Sequence, residues 1–560
     1  MKALNIISFY SSFFSKYTWK NIVFSILYVR GEKRMKSNGN NIFTFIFILI
    51  VIGFIAGAVY ILYYSQSTEE LDEEEVEISN EIEDAISVVG NLKMGISDYD
   101  TMNPLLTNNR EIINIDKLVF EPLISITPDY HVEACLAQSI KQNSEIEYEI
   151  KVDTSIKWQD GSSFISKDIQ FTVDRLKEVN SVYSPNVRYI DSVETPDSET
   201  AIIRLTQAVP FIEYYLDFPI LSSAYYINED FYSSNKIPIG TGMYKIASID
   251  DDNIFLIRND RWRKLKDSTP RTESITIHKS VAMGEIFNSF KLGNIDVINT
   301  YMPNYSDYVG TMGYNKKEYP GRDFSFISLN CNDNILNNKE VRKAINCAIN
   351  RDNIVSSVFA GTKVASYSPL DYGSYLHDNN LKVNYNQDEA KKILENDGWV
   401  YTNDRWQKNI DGYVRKLTLS LIVNEDNPER VNVANNLKSQ LAEVGIVLNV
   451  ARVNTDRYYQ YINEKNFQML LTGLTNSISP DLSYFYGNNN LSSYYNEDII
   501  SKLYSLDKFG EIEKQVYEDV PYIGLYRNKG VIVLNANVGG NFLSNSYFTF
   551  FNFNEWYRQQ

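Results

Sequence analysis

The chain has 560 residues, of which 44% are hydrophobic and 22% are charged. This composition is too apolar for a disordered chain, and the length is sufficient for two or three packed lobes. The formal net charge of −17 opposes contact with phosphate backbones and therefore disfavours a nucleic-acid-binding function.

The N-terminal part of the chain has the charge pattern of a membrane anchor. Residues 1–41 carry seven basic residues and one acidic residue, and residues 42–65 follow as 24 consecutive uncharged, mainly apolar residues. A run of this length crosses a bilayer as a helix, and basic residues favour its cytoplasmic side. We therefore predict a cytoplasmic N-terminus at 1–41, a transmembrane anchor at 42–65, an acidic linker at 66–86 and a globular body on the extracellular side of the cell membrane.

The same segment also allows a cleaved signal peptide. A small-x-small motif ends at Ala58, and cleavage near this residue would release the body as a secreted protein. The apolar run continues through 59–64, beyond the length that a signal peptide needs, which favours the anchor. Translation could start at Met1 or at Met35, and the second start would leave a compact basic segment before the apolar run.

The chemistry-bearing residues give no pattern of an enzyme or a metal protein. The chain has three cysteines without a C-x-x-C pair and three isolated histidines. This pattern encodes neither a disulfide scaffold nor a zinc site. The motifs H-E-x-x-H, G-x-S-x-G and the phosphate-binding P-loop do not occur. We therefore expect no metal, no cofactor and no catalytic activity.

The second half of the chain alternates between strands and helices. Apolar alternation predicts a strand at 417–422, and helical spacing of apolar residues predicts a helix over 433–444 with Gly445 as its cap. A second strand, a short helix and a third strand are predicted at 446–453, 456–464 and 467–474. Since parallel neighbours need a crossover connection, this order predicts a parallel sheet covered by helices.

Two loops of this predicted sheet are candidate ligand contacts. Ligands of parallel sheets bind beyond the carboxyl ends of the strands, which here are followed by 424–427 and 475–481. Ordinary solvated loops have the same polarity, so the pattern alone leaves their role open. Upstream, apolar spacing at 341–349 predicts an amphipathic helix packed on a sheet, and a similar helix at 390–395 ends before Gly398.

Short motifs occur along residues 90–540 in a recognisable order. They read NPL at 103–105, LVFEPL at 118–123, IKWQDG at 156–161, SKDIQFT at 166–172, GTGMY at 240–244, GNID at 293–296, VRKAI at 341–345, AINR at 348–351, AKKIL at 390–394, GW at 398–399 and PYIGL at 521–525. Each alone fits a turn, a cap or an amphipathic stretch. Together they resemble the family 5 extracellular solute-binding proteins, the dipeptide and oligopeptide receptors of ATP-binding-cassette (ABC) importers.

The resemblance implies an α/β, two-lobed fold like that of periplasmic binding proteins of class II, with mixed sheets and a hinge. It places lobe 1 at 87–320, lobe 2 at 321–520 and a return to lobe 1 at 521–560. It further implies a monomeric substrate-binding subunit that captures peptides outside the cell and closes around them. Such a subunit delivers its ligand to a membrane permease, and a separate ATPase subunit hydrolyses ATP.

The sequence departs from the family pattern at the two peptide anchors. Peptide-binding members have a G-W-x-x-D motif after the third strand, where this chain has Leu474 at the Trp position and Ser477 at the Asp position. A hydroxyl cannot balance the charge of a desolvated ammonium group. The arginine of dipeptide receptors is also missing from loop 424–427, whose acidic residues suit a cationic ligand or a peptide held by its main chain.

Strand ends and motif positions together predict the ligand contacts. They are Tyr99, Asp100, Asn330, Asn424, Glu425, Asn476, Ser477 and Tyr484. Two alternative functions use the same fold. One is a membrane-tethered ligand sensor, and the other is a binding protein for a non-peptide solute such as a sugar, a metal chelate or an opine. Neighbouring permease and ATPase genes would favour import, whereas a neighbouring kinase gene would favour sensing.

Overall fold

The computed structural model describes residues 88–559, with gaps at 228–230, 232–235, 303 and 310–312. The predicted cytoplasmic N-terminus, membrane anchor and acidic linker lie outside the described residues. Within 88–559, none of the helices combines the length and the apolar character that crossing a bilayer requires.

The helices lie throughout the body. They are α1 (Arg110–Val119), α2 (Ser166–Glu178), α3 (Ser184–Val187), α4 (Ser223–Tyr226), α5 (Met283–Lys291), α6 (Lys339–Ala348), α7 (Arg351–Phe359), α8 (Gln387–Asn396), α9 (Pro428–Glu443), α10 (Thr455–Glu464), α11 (Ser483–Tyr486), α12 (Glu497–Lys502) and α13 (Phe509–Asp519). Short 3₁₀ turns lie at Ile212–Tyr215, Tyr305–Asp307, Leu506–Lys508 and Phe553–Glu555.

The strands alternate with these helices along the chain. They are β1 (Val88–Val89), β2 (Asn91–Ser97), β3 (Ile124–Ile126), β4 (Val132–Ala134), β5 (Ala137–Ser144), β6 (Glu147–Val152), β7 (Ile190–Asp197), β8 (Thr200–Leu205), β9 (Tyr244–Ile249), β10 (Asn253–Arg258), β11 (Ser274–Ser280), β12 (Val297–Thr300), β13 (Tyr314–Leu329), β14 (Lys363–Ala365), β15 (Val400–Thr402), β16 (Arg405–Ile410), β17 (Tyr413–Lys416), β18 (Thr418–Asn424), β19 (Val447–Val453), β20 (Met469–Thr475), β21 (Tyr522–Asn535), β22 (Val538–Gly539) and β23 (Tyr557–Gln559).

One mixed sheet runs through the whole body. Its strand order is β19-β18-β20-β13-β21-β12-β2-β11-β10-β9, and β14 pairs with β21. The two central strands, β13 and β21, have 16 and 14 residues and run antiparallel to each other. We refer to them as the crossing strands, because each contributes to both halves of the sheet. Their pairing shifts register between Pro320 and Phe324.

The sheet divides the body into two lobes. Lobe 1 is built around β2 and β9 to β12, and a four-stranded sheet of order β5-β6-β8-β7 is attached to it. Lobe 2 is built around β18 to β20, whose apolar residues form a core of their own with Leu437 and Leu441 of α9. The larger apolar cluster is centred on lobe 1 and also includes Phe485 of lobe 2. The body is therefore a two-lobed α/β fold with a mixed central sheet.

The βαβαβ order predicted for 417–474 is confirmed. Strand β18 pairs in parallel with both β19 and β20, and α9 and α10 supply the crossovers. Gly445 has a φ of +81°, the left-handed conformation that a helix cap requires. The sheet becomes mixed because β20 pairs antiparallel with β13. The helices predicted at 341–349 and 390–395 correspond to α6 and α8.

The GTGMY motif holds α1 in place. A Cβ atom on Gly240 would lie 1.9 Å from the carbonyl oxygen of Val119, and one on Gly242 would lie 2.7 Å from that of Leu118. Only glycine allows so close an approach of two backbones. The C-terminal end of α1 is therefore packed directly against this motif, which positions the helix beside the candidate site.

Candidate functional site

A cavity of about 360 Å³ lies between the lobes, and we refer to it as the interlobe cavity. Helix α1, the segment 182–186 and Tyr547 line it from lobe 1. Its opposite side is formed by Arg322 and Asp323 at the bend of β13, and by Thr475 and Ile478 after β20. Its volume lies at the lower end of the range of about 300–1,000 Å³ that is typical of small-ligand sites.

Helix α1 presents a polar face to this cavity. Arg110, Ile113, Asn114 and Lys117 all line it, and their spacing of i, i+3, i+4 and i+7 places them on one side of the helix. The side chain of Asn109 caps the helix by accepting hydrogen bonds from two backbone amides. Buried residues on the other sides fix the orientation of this face: Ile112, Ile115, Leu118 and Val119.

A hydrogen-bonded cluster forms the lobe 1 wall of the cavity. The Nζ atom of Lys117 donates to the carbonyl oxygen of Tyr547 at 2.8 Å. The Asp217 carboxylate accepts from Asn186 Nδ2 at 2.6 Å and from the Tyr547 hydroxyl. Burial lowers the pKa of Lys117 well below its usual value, and the charge of Asp217 opposes this shift. Burial likewise raises the pKa of Asp217, against the charge of Lys117.

The bend in β13 contributes a cation, Arg322, and an anion, Asp323. The two residues differ in how far their hydrogen-bonding atoms already have partners. Arg322 donates from Nη1 to the carbonyl oxygen of Asn476 at 2.8 Å, and its buried Nε has no hydrogen-bond partner. The Asp323 carboxylate accepts from Thr475 Oγ1 at 2.5 Å and from Asn528 Nδ2 at 2.9 Å. The anion is therefore satisfied within the chain, whereas the cation keeps donor capacity for a ligand.

A second cavity of about 270 Å³ adjoins the first, sharing Asp323 and Thr475 with it, and we refer to it as the edge cavity. Arg430, in the first turn of α9, lines the edge cavity. A Cβ atom on Gly473 would lie 2.6 Å from its Nη2 atom, so the guanidinium lies directly against β20. Loop 424–427 itself contains no cation. Arg430 lies just beyond that loop and brings a cation to the same edge.

The structure brings the predicted residues Asn476 and Ser477 to the margin of the interlobe cavity. The Asn476 amide donates to the carbonyl oxygen of Arg322 at 2.9 Å. Ser477 is exposed, and its hydroxyl accepts from the amide of Ser479 at 3.2 Å. Their neighbours Thr475 and Ile478 are the residues that line the cavity.

Asn424 and Glu425 lie at the same sheet edge, because β18 and β20 are parallel neighbours. The side chain of Asn424 is engaged locally, donating to Thr455 Oγ1 at 3.1 Å and accepting from the amide of Asp426 at 3.0 Å. Glu425 is exposed to solvent. Neither residue lines the interlobe cavity or the edge cavity.

The structure does not bring Asn330 to this site. Strands β13 and β20 pair antiparallel from Asp323 and Thr475 to Leu329 and Met469. At about 3.4 Å per residue, Asn330 therefore lies roughly 20 Å from Thr475, at the opposite end of the strands. Its Nδ2 atom donates to the carbonyl oxygen of Phe467 at 2.8 Å, which is a structural role in a turn.

The remaining predicted residues also lie outside the lining of the interlobe cavity. The Asp100 carboxylate shapes the turn before α1 by accepting from Thr107 Oγ1 at 2.7 Å and from the amide of Asn108 at 2.8 Å. The ring of Tyr99 packs under the Nζ atom of Lys279, 4.5 Å from its centroid. Tyr484 is 50% exposed.

Helix α1 is a site element that was not predicted from the sequence. The signal was present, because Arg110, Asn114 and Lys117 are polar residues whose spacing places them along one side of the helix. A polar stripe of this kind is also typical of a solvated helix face. Its position at a cavity became visible only with the fold.

A further cavity of about 340 Å³ lies within lobe 1, behind the wall formed by Lys117, Asp217 and Tyr547. Asp116 lines it, and both of its buried carboxylate oxygens lack a hydrogen-bond partner. Burial raises the pKa of Asp116 well above its usual value. In the part of the chain that the structure describes, no group of three or more His, Cys, Asp or Glu residues is arranged to hold a metal ion.

The two lobes are also in direct contact with each other. The amide of Tyr375 donates to the carbonyl oxygen of Asp129 at 2.9 Å. Nearby, the rings of Tyr130 and Tyr372 meet edge to face, with centroids 4.6 Å apart. These contacts bring segment 372–375 of lobe 2 against segment 129–130 of lobe 1.

Comparison with known proteins agrees with this architecture. The oligopeptide-binding protein AppA of Bacillus subtilis is 24% identical over 490 residues, which are 80% of this chain and 88% of that protein. A nickel ABC transporter structure from Bacillus halodurans matches with a TM-score of 0.70 at 17% identity, covering 84% of this chain and all of that one. The murein tripeptide-binding protein MppA, in an unliganded open form, matches with a TM-score of 0.68 at 15% identity, covering 85% of this chain and 98% of that one.

A family model matches residues 131–496, which is more than half of the chain. Its description is that of the middle part of the family 5 bacterial extracellular solute-binding proteins. The motifs of the sequence, the two-lobed fold and this match agree. The chain belongs to the family 5 bacterial extracellular solute-binding proteins.

Proposed function

We propose that this protein captures peptides outside the cell in the interlobe cavity and delivers them to a membrane permease, as the substrate-binding subunit of an ABC importer. The observation that carries this proposal is the cavity itself, lined from both sides at the bend of a crossing strand. A ligand in this position contacts both lobes and therefore favours their closure. The names of the relatives AppA and MppA, which refer to oligopeptides and to a murein tripeptide, support a peptide ligand.

In this proposal the lobes comprise residues 87–320 and 321–520, and 521–560 return to lobe 1. The register shift between Pro320 and Phe324 supports a hinge at the first crossing. The second crossing lies in β21. Two connecting strands allow the lobes to rotate as rigid bodies while each keeps its own packing.

The protein acts in this proposal as a monomer anchored by residues 42–65, with 1–41 in the cytoplasm and 66–86 as a spacer. The sequence pattern supports this arrangement. Cleavage near Ala58 would instead release the body. The permease and the ATPase are separate subunits, since the chain has no P-loop.

Calorimetry of the full chain in mild detergent tests the peptide assignment. A random peptide pool is titrated first, followed by a nickel chelate, a sugar mixture and an opine. We expect binding only from the peptide pool. Binding of a nickel chelate, a sugar or an opine without any peptide would overturn the assignment. The nickel chelate is included because one structural relative is named as a nickel ABC transporter.

A cavity-blocking variant ties binding to the interlobe cavity. Thr475 is exposed and lines both the interlobe and the edge cavity, so Thr475→Trp fills the space that a peptide would occupy. We expect it to abolish peptide binding. The matched control Thr402→Trp changes an exposed threonine of β15 that lines neither cavity, and it should bind as the unaltered protein does.

A further inference from the structure

The interlobe cavity has more basic than acidic side chains. Arg110, Lys117 and Arg322 line it, and among the described residues none of the three forms an ion pair with an Asp or Glu side chain. The chain as a whole is strongly acidic, with a net charge of −17. A cationic cavity in an acidic protein is therefore a local property of this site and not a consequence of composition.

The two carboxylates of the cavity are already used by the chain. Asp217 holds Asn186 and the Tyr547 hydroxyl, and Asp323 holds Thr475 and Asn528. Each of these two carboxylates accepts hydrogen bonds from uncharged side chains that lie beside it. They fix the shape of the cavity wall and do not neutralise the cations by direct contact.

The cations, in contrast, keep unused donors. The Nε atom of Arg322 is buried without a hydrogen-bond partner, although its Nη1 atom holds the carbonyl oxygen of Asn476. The Lys117 Nζ atom donates to the carbonyl oxygen of Tyr547 and lies over the Tyr547 ring, and because burial lowers its pKa, an anionic group beside it would favour its charged form. Arg110 makes one long contact, to the carbonyl oxygen of Ser546 at 3.4 Å, while its guanidinium covers the ring of Tyr301. Arg322 is a partly buried cation without an anionic partner, which is costly, so an anionic ligand group gains from filling this position.

The spacing of the cations sets the form of the ligand. Arg110 and Lys117 are seven residues apart on α1, which is about 10 Å along the helix axis. Arg322 faces them from the bend of β13 across the cavity. An extended peptide rises about 3.3 Å per residue. A short peptide with an acidic side chain and a free carboxyl terminus therefore presents two carboxylates at the separation that these cations can hold.

We infer that the ligand is a short acidic peptide, whose terminal and side-chain carboxylates are bound by Arg110, Lys117 and Arg322. This inference rests on the proposed function, and it adds the charge class of the substrate. It argues against one of the two alternatives that the acidic loop 424–427 left open, a cationic ligand, because Glu425 and Asp426 are exposed and line neither cavity. Arg430 extends the cationic lining into the adjoining edge cavity.

Calorimetry with matched tripeptides tests this inference on the full chain in mild detergent. The probes are Ala-Glu-Ala, Ala-Gln-Ala and Ala-Lys-Ala, each with a free and with an amidated carboxyl terminus, and citrate as a carboxylate without a peptide backbone. We expect Ala-Glu-Ala to bind at least about tenfold more tightly than Ala-Lys-Ala, with amidation weakening each peptide, since each charge-assisted contact is worth about one decade in affinity.

Two variants and a control locate the effect. Arg322→Gln should reduce the preference for Ala-Glu-Ala over Ala-Lys-Ala to less than about threefold. Arg110→Gln provides a second variant that is safe for folding, because the Arg110 side chain is exposed, and it should reduce the preference in the same direction. Arg415→Gln is the matched control, since Arg415 is also an exposed arginine beside a tyrosine ring but lies on β17, away from the cavity.

The outcomes separate this inference from the proposed function. Equal or tighter binding of Ala-Lys-Ala, or an unchanged preference in both variants, would overturn the acidic-peptide inference and leave peptide capture standing. Binding of citrate without any tripeptide would support carboxylate recognition and overturn the peptide source, and with it the proposed function. Absence of binding by every probe would overturn the inference. The proposed function is then tested separately by the calorimetric titration with the random peptide pool.

Discussion

Arg527 donates from Nη1 to the side-chain oxygen of Asn476 at 3.0 Å, which joins a crossing strand to the loop after β20. The same guanidinium is 1% exposed and pairs through Nε with Asp371 at 2.5 Å. It also donates from Nη2 to the carbonyl oxygen of Ser368 at 2.7 Å. One buried cation on β21 thus holds two other segments, the loop after β20 and residues 368–371.

The substitution Arg527→Met tests this role. It leaves Asp371 without its cation in a buried position, and we expect a loss of about 3–5 kcal/mol in the free energy of unfolding. Urea denaturation measures the loss, with Arg415→Met on the exposed strand β17 as the control. A loss below about 1 kcal/mol would show that the buried pair does not hold these segments together.

The close packing of GTGMY on α1 predicts a strong effect of a single methyl group. Gly240→Ala places a Cβ atom 1.9 Å from the carbonyl oxygen of Val119, and the resulting backbone shift should cost about 3 kcal/mol. Thermal unfolding measures this loss. Gly284→Ala is the matched control, since a Cβ atom there meets no atom within 4 Å and alanine favours the helix α5. An equal effect of the two substitutions would contradict the packing.

The burial of Asp116 without a hydrogen-bond partner predicts an unusual dependence of stability on pH. Burial raises the pKa of this carboxyl in the folded protein, so the folded state retains a proton that the unfolded chain releases above about pH 4. Stability should therefore fall as pH rises above this value. Asp116→Asn lacks this cost and should be the more stable form at pH 7. From pH 5 upward, the difference in the free energy of unfolding between the two forms should grow by up to about 1.4 kcal/mol per pH unit. If the difference in the free energy of unfolding is the same at pH 5 and pH 7, the result would contradict the burial of an unpartnered carboxyl.

His377 and Glu513 form a buried pair in lobe 2, with Nδ1 and Oε1 2.9 Å apart. Burial lowers the pKa of His377, but the hydrogen bond and charge of Glu513 outweigh it, and the net pKa is raised. The pair therefore stabilises the fold fully below about pH 6.5, the value for an unfolded histidine, and this contribution disappears as pH rises through the folded pKa.

His377→Gln should accordingly be less stable than the unaltered protein by about 1 kcal/mol at pH 6, with a smaller gap at pH 9. Thermal unfolding at the two pH values measures the gap. His278→Gln is the control, because the His278 Nδ1 atom lies 3.4 Å from the side-chain oxygen of Asn253, and among the described residues no carboxylate pairs with it. A gap of the same size at both pH values would show that the ion pair does not form.

The helices and strands of lobe 2 could be predicted because their apolar periodicity is strong and their caps are explicit, as at Gly445. The direction of pairing between β13 and β20 could not be predicted, since it depends on contacts between residues about 150 positions apart. This is why Asn330 was expected at the site and lies at the far end of the strands. The sequence located the segment 475–481 at the cavity but not the facing helix α1, whose polar stripe has the same pattern as a solvated face.

The central claim is that the ligand lies between the lobes. Amide hydrogen exchange of the full chain, with and without a saturating peptide pool, tests it most directly. We predict simultaneous protection of α1 in lobe 1 and of the segment 475–478 in lobe 2, because a ligand in the interlobe cavity contacts both. Protection confined to one lobe, with the exchange of the other unchanged, would contradict the account.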